Sequence, residues 1–164
     1  METLSDEMSD TEKIELKPIG FVKTKVIGRE VKDRSNVSEI IIRDDLADAL
    51  DGIEDFSHLF VIFWIHKISN EERKTMKVHP RGRMDIPLQG TFATRTPHRP
   101  NPIGLTLVEL LKVEGNVVTV LGLDAFDGTP ILDIKPFDYR DMVEGAKVPE
   151  WWMTMEEKRS RARS

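Results

Sequence analysis

Gly104-Leu-Thr-Leu-Val-Glu-Leu-Leu-Lys112, the break Val113-Glu114-Gly115-Asn116, and Val117-Val-Thr-Val-Leu-Gly-Leu123 form the stretch that decides the fold. Two strand-forming runs flank a short turn-forming cluster, the pattern of a β-hairpin. Working outward, the same alternation of strand and break recurs. Leu59-Phe-Val-Ile-Phe-Trp-Ile65 is apolar throughout and bounded by polar turns, so it reads as a central strand apolar on both faces. Ser38 to Arg43 holds Ile40-Ile41-Ile42, a β-branched run suited to a buried strand. Phe21 to Ile27, Thr91 to Thr94 and Ile131 to Ile134 read as further strands. Helices are few. Asp44 or Asp45 caps a short one carrying Leu46, Ala47, Ala49 and Leu50, with Gly52 as its stop. Thr154 to Arg163 reads as a terminal helix, with Thr154 as cap and Glu157 at the capping-box spacing. Gly28 to Asn36 is a charged loop, and residues 69–89 are a long charged one. Many short strands with few helices predict a mainly β chain, a barrel or a sandwich.

The 164 residues suffice for one domain with a core, and a charged fraction of 32% suits a globular chain. Cysteine is absent, which excludes a disulfide framework, a thiol nucleophile and cysteine-ligated metals. Residues 1–13 are acidic and aperiodic and read as a disordered tail; residues 14–164 read as one domain. The start of the chain has no basic, apolar signal pattern, and Leu59–Ile65 is too short to span a bilayer, so the expected place is the cytoplasm. Net charge is −5, against the habit of nucleic-acid binders. Residues 1–13 carry −4 of it, so the rest is nearly neutral and has room for a basic face.

Thr91-Phe-Ala-Thr-Arg95-Thr-Pro97-His98-Arg99-Pro100-Asn101-Pro102-Ile103-Gly104 is the most unusual segment. Three prolines fix φ, remove backbone donors and push their predecessors to extended conformations. The loop is therefore stiff, and it holds Arg95, Arg99 and Asn101 in place as a preorganised site requires. A rigid structural crossover is the competing reading. Downstream, Asp124 and Asp133 each interrupt an apolar run, so they need donors or cations; Arg95, Arg99 and Lys135 are the candidates. Asp127, in Asp127-Gly128-Thr-Pro130, reads as a turn former.

Phe92-Ala-Thr-Arg95-Thr-Pro-His-Arg99-Pro-Asn101-Pro-Ile-Gly104, together with Asp127-Gly-Thr-Pro130-Ile-Leu-Asp133-Ile-Lys135-Pro136 and Phe56-Ser-His58-Leu, resembles the TrmO/TsaA-like (YaeB) proteins over residues 15 to 140. Those proteins are tRNA methyltransferases acting at N6 of threonylcarbamoyladenosine beside the anticodon. The resemblance implies a single antiparallel β-barrel with long loops and a short C-terminal helix. It implies S-adenosylmethionine as methyl donor, the tRNA anticodon loop as partner, and a homodimer with its sites near the subunit interface. It also implies that His66, Lys67, Arg95, Leu105, Leu123, Asp124 and Ala125 line the cofactor pocket. Many relatives carry Pro-Arg-Gln before the second strand; here the region reads Lys32-Asp33-Arg34-Ser35-Asn36, and Arg34 takes that place. Longer relatives have a C-terminal extension that does not occur in this sequence.

Methyl transfer from a sulfonium is a displacement with a neutral leaving group, so no metal is needed and positioning supplies most of the rate. The acceptor nitrogen is urea-like and must lose a proton; His66, Asp133 and Tyr139 are unranked candidates for the base. Arg99, Asn101 and Lys135, with Lys77, Arg81 and Arg83 of the long loop, are the candidate tRNA contacts. Lys158, Arg159, Arg161 and Arg163 read as solvated surface, and Trp151-Trp152 as an anchor for the C-terminal segment. The rival functions are a non-enzymatic module that binds S-adenosylmethionine or a nucleotide, and a methyltransferase for a small molecule.

Overall fold

The structure, a computed structural model, describes residues 13–161, with side chains as far as residue 156. The acidic tail predicted for residues 1–13 lies almost wholly outside the described residues. The described residues form eight strands: β1 Gly20–Lys23, β2 Val37–Ile42, β3 His58–Trp64, β4 Lys77–Val78, β5 Gln89–Gly90, β6 Ile103–Glu114, β7 Val117–Leu121 and β8 Pro130–Pro136. Six of them close an antiparallel barrel in the order β1-β2-β7-β6-β3-β8, with β8 returning to β1. The barrel expected from the resemblance is therefore present. Among the described residues a single α-helix, α1, runs over Glu150–Arg161.

The barrel forms because most inward-facing residues of the wall strands are apolar. In β3, Leu59, Val61 and Phe63 point inward and are buried. They meet Val108, Thr106 and Gly104 of β6 in register. Ile40, Val118, Val120 and Ile131 complete the core from the other walls. The remaining apolar residues of β3, namely Phe60, Ile62 and Trp64, lie on its outer face and are half-buried. Phe60 packs edge-to-face on Phe137, and the Arg73 guanidinium sits 5.4 Å from the Trp64 ring.

Several local expectations are corrected. The Asp44–Leu50 segment is a 3-10 helix with Arg43, not an aspartate, at its N-cap. Asp44 is engaged by the Asn116 side chain. Gly52 does end that region, at φ 82°, a conformation costly for other residues. Thr91–Ala93 is a 3-10 turn rather than a strand. The first strand stops at Lys23, well before Ile27. Helix α1 starts at Glu150, so Thr154 is inside it, and its hydroxyl donates back to the Glu150 carbonyl. Residues 69–89 are not a structureless loop: β4 and β5 pair as a hairpin, and Arg81 bridges to Glu156 of α1 at 3.1 Å. Among the described residues no helix is long and apolar enough to cross a membrane.

Candidate functional site

β1, β3 and β7 end, and β2, β6 and β8 begin, at the same rim of the barrel. That rim collects most of the residues singled out from the sequence, and one mismatch in strand length shapes it. β7 stops at Leu121, opposite Glu109 of β6. The first half of β6, from Ile103 to Val108, therefore has β3 on one side and no strand on the other. The Arg34 guanidinium covers part of this open edge, donating to the Leu107 carbonyl at 3.1 Å. Strand alternation turns the N–H and C=O of Leu105 to the same open side. Leu105 thus offers one donor and one acceptor beside Arg34.

The chain leaving β7 lines the other side of this gap. Gly122 has φ 91°, and a Cβ there would meet the Arg34 backbone oxygen at 3.2 Å. Leu123 and Ala125 are buried, and Asp124 between them is exposed. The Asp124 carboxylate accepts a short hydrogen bond from the Thr106 hydroxyl. The expectation of a buried carboxylate needing a cation is thus corrected: Asp124 is held by a hydroxyl and keeps lone pairs facing outward. Asp127 fills its turn role, accepting from the Thr24 amide at 2.9 Å.

His66 and Lys67 follow β3 at the same rim. The Thr129 hydroxyl lies 3.4 Å from His66 Nδ1, near the outer limit of a hydrogen bond. Lys67 Nζ sits 4.3 Å from the centre of the Phe126 ring. Desolvation, and secondarily the Lys67 charge, hold the His66 imidazole below its ordinary pKa of 6.5. At neutral pH the ring is uncharged and able to take a proton. The sign of the stability effect follows: the unfolded chain binds this proton more readily, so stability is unaffected above pH 6.5 and falls as the pH drops below it, until the folded ring is itself charged. Thermal unfolding of His66→Gln beside the parent from pH 8 to pH 5 is expected to give a difference that changes only below about 6.5. A pH-independent difference would show that the ring is not shifted.

Arg34, Leu105, Leu123, Asp124 and Ala125 thus lie along the β6 edge and the segment leaving β7, and His66 and Lys67 stand at the same rim against Thr129 and Phe126. Arg95 is exposed on the loop entering β6, and no described contact ties it to Asp124. The proline loop is firmly placed: Pro102 accepts from the Ile65 amide at 2.7 Å and Pro100 from Arg73 Nε at 2.8 Å. Arg99 donates to the carbonyls of Thr94 and Thr96, bracing the loop from within. Asn101 is exposed beside the start of β6. Asp133 and Lys135 are elsewhere, paired at 2.9 Å on the outer wall. Asp133 is half-exposed, not buried. Tyr139 follows β8 at the opposite end of the barrel and is 82% exposed. Lys77 is exposed on the hairpin, whereas Arg81 and Arg83 are ion-paired to Glu156 and Asp85. Thr106, Phe126 and Thr129 were missed; Thr106, a polar residue at an inward position of β6, was the readable signal.

Fold and rim together define the class: a closed six-stranded barrel with a half-open β6 edge bordered by a guanidinium and a carboxylate, and an imidazole at the same rim. The tRNA-methyltransferase O N-terminal domain model matches residues 21–141, and the chain belongs to that family. A probable S-adenosyl-L-methionine-binding protein of Methanothermobacter thermautotrophicus is 45% identical over 140 residues, covering 82% of this chain and 96% of the relative. The tRNA (adenine(37)-N6)-methyltransferase of Mus musculus is 51% identical over 89 residues, covering 54% of this chain and 20% of that protein. A crystal structure of TrmO from Pseudomonas aeruginosa superposes with TM-score 0.66 at 28% identity, covering 83% of this chain. The chain spans 62% of the length of that solved chain.

Proposed function

We propose that this chain is an S-adenosylmethionine-dependent methyltransferase that acts at N6 of threonylcarbamoyladenosine next to the anticodon of tRNA, in the cytoplasm. The observation that carries the reading is the β6 edge, where Arg34, Leu105 and Asp124 come together. Their chemistry fits the cofactor. Asp124 supplies acceptors for ribose hydroxyls or an ammonium group. A guanidinium, here Arg34 or the exposed Arg95, matches a carboxylate in a planar fork. The Leu105 backbone pair suits a heteroaromatic edge, and Leu123 and Ala125 supply apolar walls. When bound, S-adenosylmethionine contributes an electrophilic methyl on sulfur. The protein's part is to hold the acceptor nitrogen in line and to receive its proton. His66 is the base of this reading, because it is uncharged at neutral pH and stands at the same rim; Asp133 and Tyr139 are not at that rim.

A homodimer belongs to the same reading. On the outer wall, Ile103 and Leu105 are 40% and 57% exposed beside half-buried Phe60, Ile62, Trp64 and Leu107. An apolar surface of this kind is a habitual partner site, and Leu105 belongs to both this face and the cofactor edge. A second reading, a binding module without transfer, is favoured by relatives in Methanothermobacter thermautotrophicus and Archaeoglobus fulgidus that are known as a probable S-adenosyl-L-methionine-binding protein and an S-adenosyl-L-methionine-binding protein.

Incubation with methyl-labelled S-adenosylmethionine and tRNA, with and without the threonylcarbamoyl group, decides between them. Label is expected in the modified tRNA alone. Label in unmodified tRNA would mean a different acceptor. Tight cofactor binding with no label in either RNA would favour the binding module or a small-molecule substrate.

A further inference from the structure

We infer that the loop joining β1 to β2 grips the phosphodiester backbone of the substrate RNA, through Lys25, Arg29 and Lys32. This rests on the methyltransferase reading above and adds the surface where the RNA lies. From Lys23 to Asn36 the chain carries five basic and two acidic side chains. Lys23 is bridged to Glu39 at 3.4 Å. Lys25, Arg29 and Lys32 are exposed, and no described ion pair includes them. The cations of residues 69–89 differ, with the exception of the exposed Lys77. Arg81 is neutralised by Glu156, Arg83 by Asp85 and Lys74 by Glu71, so that surface projects a weaker positive field despite its composition.

The β1–β2 loop is also ordered, as a phosphate cradle must be. Val31 is buried and anchors a 3-10 turn over Gly28–Lys32. The Glu30 carbonyl accepts from the Asp33 amide at 2.9 Å and from the Asn36 side chain at 2.5 Å. The Asn36 carbonyl accepts from the Gly122 amide at 2.9 Å, which ties the loop to the segment bearing Asp124. Residues three apart eclipse in a 3-10 turn, so Arg29 and Lys32 project from one side, about 6 Å apart along its axis. Two residues on, Arg34 reaches the β6 edge. A phosphate held by Arg29 and Lys32 therefore sits beside the place where the reacting base must lie. Contacts of this kind position an RNA without reading its sequence.

The test is binding of a fluorescent anticodon stem-loop carrying threonylcarbamoyladenosine over a series of salt concentrations. The Lys25→Gln/Arg29→Gln/Lys32→Gln variant is compared with the parent and with a charge-matched control, Lys17→Gln/Lys112→Gln/Arg140→Gln, placed at the opposite end of the barrel. The variant is expected to lose affinity by roughly tenfold or more, and its log–log salt slope to shrink by about two, near 0.7 for each lost single-strand contact. Its affinity for S-adenosylmethionine by calorimetry is expected to be unchanged, and the control to bind RNA within about twofold of the parent. An unchanged salt slope would overturn the inference. So would a parallel loss of cofactor affinity, which would put the loop in the donor pocket, or tighter binding of a peptide of residues 1–12 than of the RNA, which would make the chain's own acidic segment the occupant. A parent protein that neither binds nor methylates the RNA would instead defeat the functional reading itself.

Discussion

Gly20→Ala is expected to lower the stability of the barrel by about 3 kcal/mol or more, out of a total of about 5–15 kcal/mol for a domain of this kind. Gly20 opens β1 and pairs with Ile42 of β2 and Ile131 of β8. A Cβ built there lies 2.3 Å from the Ile41 carbonyl oxygen and 3.0 Å from the Ile42 Cα. Both are backbone atoms of a paired strand, so no rotamer change makes room, and β1 must slide off β2. The closing seam between β1 and β8 has two paired positions, Gly20 with Ile131 and Phe21 with Pro130, and it cannot absorb that slide. Urea unfolding is the measurement, with a fall of roughly 6–12 °C in Tm as its thermal counterpart. Gly90→Ala is the control, because a Cβ there meets nothing within 4 Å. Equal midpoints for the two variants would refute the seam argument.

Asp124→Ala is expected to weaken binding of S-adenosylmethionine by roughly ten- to a hundredfold while leaving the fold intact. The carboxylate is exposed, so folding does not depend on it. Hydrogen bonds to a charged group are worth about 1.5–3 kcal/mol each, which sets that range. Thr106→Val separates orientation from contact. It removes the hydroxyl that aims the carboxylate but keeps the carboxylate itself, so a smaller loss, about threefold to tenfold, is expected. Calorimetry with the cofactor measures both. Full affinity in Asp124→Ala would remove this residue from the donor site.

The wall strands were legible because Leu59–Ile65 is a continuous apolar run bounded by turn formers, and because the strand-forming runs of the 104–123 hairpin flank the turn-forming Glu114-Gly115-Asn116. The ends were not. β1 stops at Lys23 because the chain turns there to meet Asp127, a contact 103 residues away in sequence. The two-residue strands β4 and β5 are too short to carry any period. In the site, the proline loop and the Leu123–Ala125 segment were recognisable from their motifs. The half-open β6 edge was not, because it arises from the difference between a 12-residue strand and its 5-residue neighbour. The basic residues of the 69–89 segment attracted attention by composition alone. Arg83 is paired by Asp85 two residues on, a local contact that a composition count overlooks, whereas the Arg81 pair with Glu156 joins residues 75 apart and lies in no local window.

The short β7 has a further consequence. An unpaired strand margin normally invites another polypeptide to add on, and natural proteins guard such margins with charge. Here Arg34, held at Leu107, and Asp124, held at Thr106, stand as sentries beside Leu105, so the same two residues that would welcome a small polar guest would also repel a foreign strand. Neutralising both at once should therefore leave a protein prone to self-association when no guest is present, a behaviour that neither single replacement would foretell.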